Sequence, residues 1–207
     1  MRENLVQRPV ASEDGRWHIE NDWYPHGIPP NVLLHENVYM DTCYGFAGFS
    51  STQPDALMMD EGSGLYEIVT FQVSEKGKVK IGKFTIVNGA TIVCNKSIEI
   101  GDHCMIAWGA IISDTWLNPS TYPLERRREI MIRTASDPLR PYPFSGESKP
   151  VILEENCWVG FDAVILPGVR LGRGCVVGCK TVISKDVPPY AVMAGNPAKI
   201  IKFLTAD

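Results

Sequence analysis

The sequence predicts an all-β coil, a stack of short strands wound around one narrow apolar interior. Two observations carry this reading. From Leu153 to Ile183 an aliphatic residue returns at every sixth position (Leu153, Val159, Ile165, Leu171, Val177, Ile183), a period that matches neither a helix nor a simple alternating strand. The same beat runs upstream through Ile81, Val87 and Val93 and, after one extra residue, through Ile100, Ile106 and Ile112. The second observation is what stands four positions after each aliphatic. These are Thr85, Thr91, Ser97, Cys104, Ala110, Cys157, Ala163, Val169, Cys175, Thr181 and Val187, all small or β-branched.

Each element follows from one hexad. If three short sides close a coil, every side turns one bulky and one small residue inward, and large alternates with small in the interior. Glycine after the aliphatic (Gly82, Gly101, Gly160, Gly172, Gly178) suits a tight corner. Clear coils span 81–98, 100–117, 153–170 and 171–188. Weaker ones are carried by Leu34, Met40 and Phe46 and by Met59, Leu65 and Phe71, with Val38, Ser63 and Val69 in small slots. The expectation is about six coils, each covering the edge of the next.

The domain reading is therefore an irregular segment at 1–33, the coil at 34–188 with a loop insertion at 113–150, and an extension at 189–207. In the extension Asn196 can cap a short helix, with Pro197 in its first position and Ala198–Leu204 continuing it. The insertion begins where Trp116 breaks the small slot. It is too long for an ordinary connection and suggests a short helix around Leu124–Ile132. Such a loop either carries binding groups or packs a subunit interface.

Composition narrows the function. At 207 residues and 44% hydrophobic content, one domain is expected. No apolar run is long enough to span a bilayer, and the first residues are too polar for a signal peptide, so a cytoplasmic protein without a membrane partner is the simplest reading. A net charge of −4 gives no case for nucleic acid. Cys104, Cys157 and Cys175 fill small inward slots, Cys179 is not at zinc spacing from Cys175, and His18, His26 and His35 fit no metal motif, so no metal is expected. Between residues 170 and 202 lie Arg170, Arg173, Lys180, Lys185, Lys199 and Lys202 against Asp186 alone, which reads as a solvated basic face or a seat for a polyanion.

The period, its small-residue slot and the closing phrase NCWVGFDAVILPGVRLGRGCVVGCKTVISKDVPPYAVMAGNPAKIIK resemble the hexapeptide-repeat acyltransferases, above all the maltose, galactoside and xenobiotic O-acetyltransferases. The resemblance covers most of 79–203. It implies a left-handed parallel β-helix, a homotrimer, and CoA or acetyl-CoA as acyl donor in the groove between adjacent prisms. Trp158 then matches a tryptophan beside the acyl end, and Gly160 a corner where backbone approaches the ligand. Cys179 stands where the family has alanine, Ser184 and Lys185 match its "TK", and Lys199 and Lys202 match basic residues near the nucleotide phosphates. The acceptor is expected to be a sugar or other small molecule with a hydroxyl or amine.

One departure is catalytic. The family's histidine base follows the coil corresponding to 100–117, and Leu117 stands opposite it here, with no histidine after His103. Three explanations remain open: Asp114 as the base, which is the first choice; Glu125, Glu129 or a neighbour's His35 moving in; or a non-catalytic trimeric scaffold that has lost its base. A carbonic-anhydrase-like site needs three histidines at a groove, and only His103 lies in the clear coils.

Overall fold

The computed structural model describes residues 8–13, 16–116, 123–136 and 147–205. The chain winds through three parallel sheets and adds a strand to each in turn. The first sheet stacks Val32–Leu34, Leu57–Met59, Lys78–Ile81, Ser97–Ile100, Val151–Leu153 and Arg170–Leu171. The second stacks Tyr39–Met40, Gly64–Tyr66, Ile86–Asn88, Met105–Ile106, Trp158–Val159, Val176–Val177 and Ala191–Ala194, and ends on Lys199–Phe203. The third stacks Thr70–Val73, Thr91–Cys94, Ile111–Ser113, Val164–Ile165 and Val182–Ile183. Below it a 3-10 helix, Cys43–Gly48, replaces the lowest strand, and Phe49 bridges to Val73.

The six-residue period is the register itself. Ile100 pairs with Leu153 and Leu153 with Leu171; Ile106, Val159 and Val177 form the second column, and Ile112, Ile165 and Ile183 the third. Each of these side chains is at most 1% exposed. Strands of two or three residues suffice because alternation needs only one residue in and one out. The small slot holds a column of thiols: Cys157 and Cys175 touch at 3.7 Å between sulfurs, and both are unbridged. Their role is filling.

Corners repeat as strictly as strands. Between the first and second sheets, Asn37, Phe84, His103, Asn156 and Tyr190 all take φ between 53° and 62°. Between the second and third, Glu67, Asp162 and Lys180 do the same, with φ of 53–57°.

Three expectations are corrected. The register over 88–98 is displaced by one residue: Ile92, Cys94 and Ile98 are fully buried and Ala90 nearly so, whereas Thr91, Val93 and Ser97 are only half-buried. The corner at Asn88–Gly89 is one residue shorter than a regular hexad allows, and a one-residue slip exchanges the faces of a strand. The C-terminal segment is a strand, not a helix. Gly195, at φ +92°, turns the chain back, and Lys199–Phe203 pairs antiparallel with Ala191–Ala194. An open sheet edge and the β-branched pair Ile200–Ile201 favour pairing over a single isolated helical turn. Within 1–33, finally, the chain makes an antiparallel hairpin, Pro9–Ala11 with Trp17–Ile19.

The insertion leaves the coil through a narrow neck. Thr115 bridges Ser148, the Trp116 N–H donates to the Glu147 carbonyl at 3.1 Å, and the Lys149 N–H donates to the Asp114 carbonyl at 2.8 Å. Beyond the neck, helix α1 spans Leu124–Ala135 and buries none of its residues. Among the described residues no helix is long and apolar enough to cross a membrane.

Candidate active site

The outer face of the second sheet is apolar where the outer faces of most solvated strands are not. Met105 is 52% exposed, Trp108 41%, Trp158 39% and Phe161 45%, and with Tyr66, Ile86 and Asn88 they line a trough of about 380 Å³. Contiguous large apolar side chains left to solvent mark a surface built to be covered. The walls are rigid. Met105 and Trp158 sit in register on neighbouring strands, while Trp108 and Phe161 stack with centroids 5.4 Å apart.

Trp158 also begins a line that runs to the basic end. It pairs with Val176, Val176 with Val192, and Val192 faces Lys202 across the terminal hairpin. Three strand spacings separate Trp158 from Lys202, roughly 14 Å at ~4.8 Å each. Both are exposed on that sheet, and Lys199 lies on the same last strand. An extended ligand with an apolar end and an anionic end fits along this line.

The other expected contacts fall elsewhere. The Gly160 N–H donates to the Val177 carbonyl, and a Cβ there would stand 2.9 Å from the Cys179 N and the Val177 O. Close packing of the next turn therefore requires this glycine. Cys179 is exposed at the corner between the second and third sheets. Ser184 and Lys185 are exposed at the opposite end of the strand Val182–Ile183. One copy of the chain thus places Trp158, Lys199 and Lys202 along one sheet and Ser184–Lys185 beyond another.

Asp114, the expected base, is closed off from solvent. It is completely buried, and its carboxylate accepts from three backbone N–H groups: Asn95 at 2.8 Å, Lys96 at 2.7 Å and Ser97 at 2.8 Å. Burial pushes its carboxyl up, and these amides, together with the Cys94 thiol, oppose the rise only in part. The residue ties the neck of the insertion to the turn below it. Leu117 lies outside the described residues. His103 stacks on Phe84 at a corner of the first and second sheets, His35 lines a separate cavity of about 280 Å³ with Arg8 and Trp17, and Glu129 pairs with Arg126. The trough itself was missed in the sequence. Its signal was Met105 and Trp108, bulky apolar residues at positions the hexad turns outward.

Residues 150–185 match the family described as bacterial transferase hexapeptide (six repeats). Among solved structures, galactoside acetyltransferase in complex with coenzyme A is 27% identical, with a TM-score of 0.57 over 72% of this chain and 66% of that one. A hexapeptide-repeat acetyltransferase of Vibrio cholerae O1 biovar eltor, complexed with acetyl coenzyme A, shares the fold at 24% identity and a TM-score of 0.56 over 73% and 72% of the two chains. The chain thus carries the hexapeptide repeat of bacterial transferases over residues 150–185 and is similar in fold to hexapeptide-repeat acetyltransferases.

Curated acetyltransferases match over shorter stretches. Chloramphenicol acetyltransferase of Agrobacterium fabrum (strain C58 / ATCC 33970) is 32% identical over 114 residues, 51% of each chain. The 2,3,4,5-tetrahydropyridine-2,6-dicarboxylate N-acetyltransferase of Staphylococcus aureus (strain JH9) is 49% identical over 55 residues, 27% of this chain and 23% of its own length. The matched stretches thus span about half or less of these relatives. Among the described residues no group of three His, Cys, Asp or Glu side chains is arranged to hold a metal ion.

Proposed function

We propose that this chain is a CoA-dependent acyltransferase that moves an acetyl group from acetyl-CoA to a hydroxyl or amine of a small acceptor. It works as a left-handed helix of about six coils in a homotrimer inside the cell. The observation that carries the reading is the line from Trp158 to Lys202, which joins an aromatic trough to the cationic end over roughly the length of an extended arm.

In this reading Trp158 covers the acyl end of the pantetheine, and Lys199 and Lys202 meet the phosphates as point charges. Ser184 and Lys185 reach the donor bound against a neighbouring copy, because they lie beyond the third sheet of their own chain. The thioester supplies an activated carbonyl carbon. The protein supplies position: holding two reactants in attack geometry is worth effective molarities of about 10⁵ M or more, against roughly 10²–10⁴-fold for a general base. A site without the usual histidine therefore keeps most of the available catalysis.

The second reading is a trimeric binding protein on the same scaffold, and the buried, fully hydrogen-bonded state of Asp114 favours it. Following thiol release from acetyl-CoA with hydroxyl and amine acceptors separates the two. Acceptor-dependent release supports transfer. CoA binding without release for any acceptor supports the binding protein.

A further inference from the structure

One carboxylate at the trough is unaccounted for. Glu67 follows Tyr66 at the corner between the second and third sheets, in left-handed backbone at φ +57°. Its N–H donates to the Asp41 carboxylate, whose other oxygen accepts from the Tyr39 hydroxyl, and Tyr39 stacks on Tyr66 with centroids 4.7 Å apart. The backbone is thereby held, and the side chain is exposed. Its Oε2 lies 3.3 Å from the point where a Cβ on Gly89 would stand, and the Trp108 Cδ1 lies 2.9 Å from the same point. Glu67 and the indole therefore flank one spot over Gly89, beside the trough that Tyr66, Asn88 and Trp108 line. Among the described residues the Glu67 carboxylate has neither a hydrogen-bond donor nor a cation as partner.

We propose that Glu67 holds the acceptor as a primary ammonium ion at the Tyr66 end of the trough and takes the proton that frees the amine. The proposal rests on the transferase reading above and deepens it by naming the acceptor class. A carboxylate beside the indole of Trp108 and next in the chain to Tyr66 favours a cation, because an ammonium gains from the carboxylate and from the ring quadrupoles it reaches. A neutral alcohol gains from neither to the same extent. An alkylammonium also gives up its proton near pH 10, as a lysine does, whereas an alcohol is a far weaker acid.

The step balances. The ammonium passes one proton to a Glu67 oxygen and becomes a neutral amine. Its lone pair forms the carbon–nitrogen bond as the carbon–sulfur bond of the thioester breaks. A second nitrogen proton leaves with the sulfur as thiol, and Glu67 returns its own proton to water.

The test uses an isosteric pair of probes, benzylammonium and benzyl alcohol, titrated into the full chain while tryptophan emission is followed. The wild type should bind benzylammonium at least ~5-fold more tightly, and Glu67→Gln should bring the ratio to about 1 with CoA binding unchanged. Asp162→Asn, an acidic neighbour lying over Gly109 further along the same corner, should keep the preference. A ratio near 1 in the wild type, no binding of either probe, a preference kept in Glu67→Gln, or an equal loss in Asp162→Asn overturns the proposal. CoA is titrated separately. Its failure to bind overturns the transferase reading, while the probe ratio still decides whether the ammonium subsite exists.

Discussion

The indole of Trp108 lies nearly parallel to the ring of Phe161, with planes 10° apart and centroids 5.4 Å apart. The two side chains come from successive turns of the coil at the same corner, so the repeat that builds the core also lays down an aromatic wall outside it. An exposed stacked pair contributes only about 0.5–1.5 kcal/mol to stability. Its position over the trough gives it a second use. Trp108→Ala should lower thermal stability slightly and cut kcat/KM for acetyl transfer by at least tenfold, as steady-state kinetics beside a melting curve can show.

Asp114 gives the sharpest contrast between a structural and a catalytic carboxylate. Asparagine offers one acceptor oxygen where three backbone N–H groups now converge on two, so Asp114→Asn should destabilise the fold by about 1–3 kcal/mol. The turnover of the folded fraction should stay within about twofold of the parent. A loss of about 10²-fold or more in kcat at unchanged stability would restore it as the base.

Much of this molecule is legible in its sequence, and the limits have physical causes. The columns through Leu153, Val159 and Ile165 are read directly from spacing, because strands that pair in register every third hexad make period and structure the same thing. The slip at Asn88–Gly89 is not legible. One residue fewer in a corner leaves the composition untouched and exchanges Val93 for Ile92 in the core. Lys199 and Lys202 read as a helix because Asn-Pro is a good helix start, and the sheet edge that captures them exists only in three dimensions. Asp114 stood at the right place in the chain for a base, but no spacing rule reports that the turn at Asn95–Ser97 aims its amides at it.

Gly160 tests the packing between turns. A methyl group there would press against backbone atoms of the next turn at 2.9 Å, which cannot rotate away. Gly160→Ala should cost about 1–3 kcal/mol, measured by urea denaturation. An unchanged midpoint would show that the turns are less tightly stacked than the structure has them.

Asp22 sets an acid-sensitive contact at the start of the coil. Burial works to raise its carboxyl, but the N–H groups of Cys43 and Tyr24 and the Thr42 hydroxyl outweigh it and hold the group below its ordinary value. A depressed folded pKa adds stability that is fully present above the unfolded value near 3.8 and is lost as pH falls through the folded one. Asp22→Asn should therefore be less stable than the parent by about 1–2 kcal/mol at pH 6–7. The difference should shrink below about pH 4. Denaturation curves across that range check both the size and the sign.

The central claim, that a CoA thioester lies along the second sheet from Trp158 to Lys202, is tested most directly by titrating CoA into the parent, Trp158→Ala and Lys202→Ala. The account predicts saturable binding by the parent, at least tenfold weaker binding by Trp158→Ala, and a smaller, salt-dependent loss in Lys202→Ala. Equal affinity in all three proteins, or no binding by the parent, would contradict it.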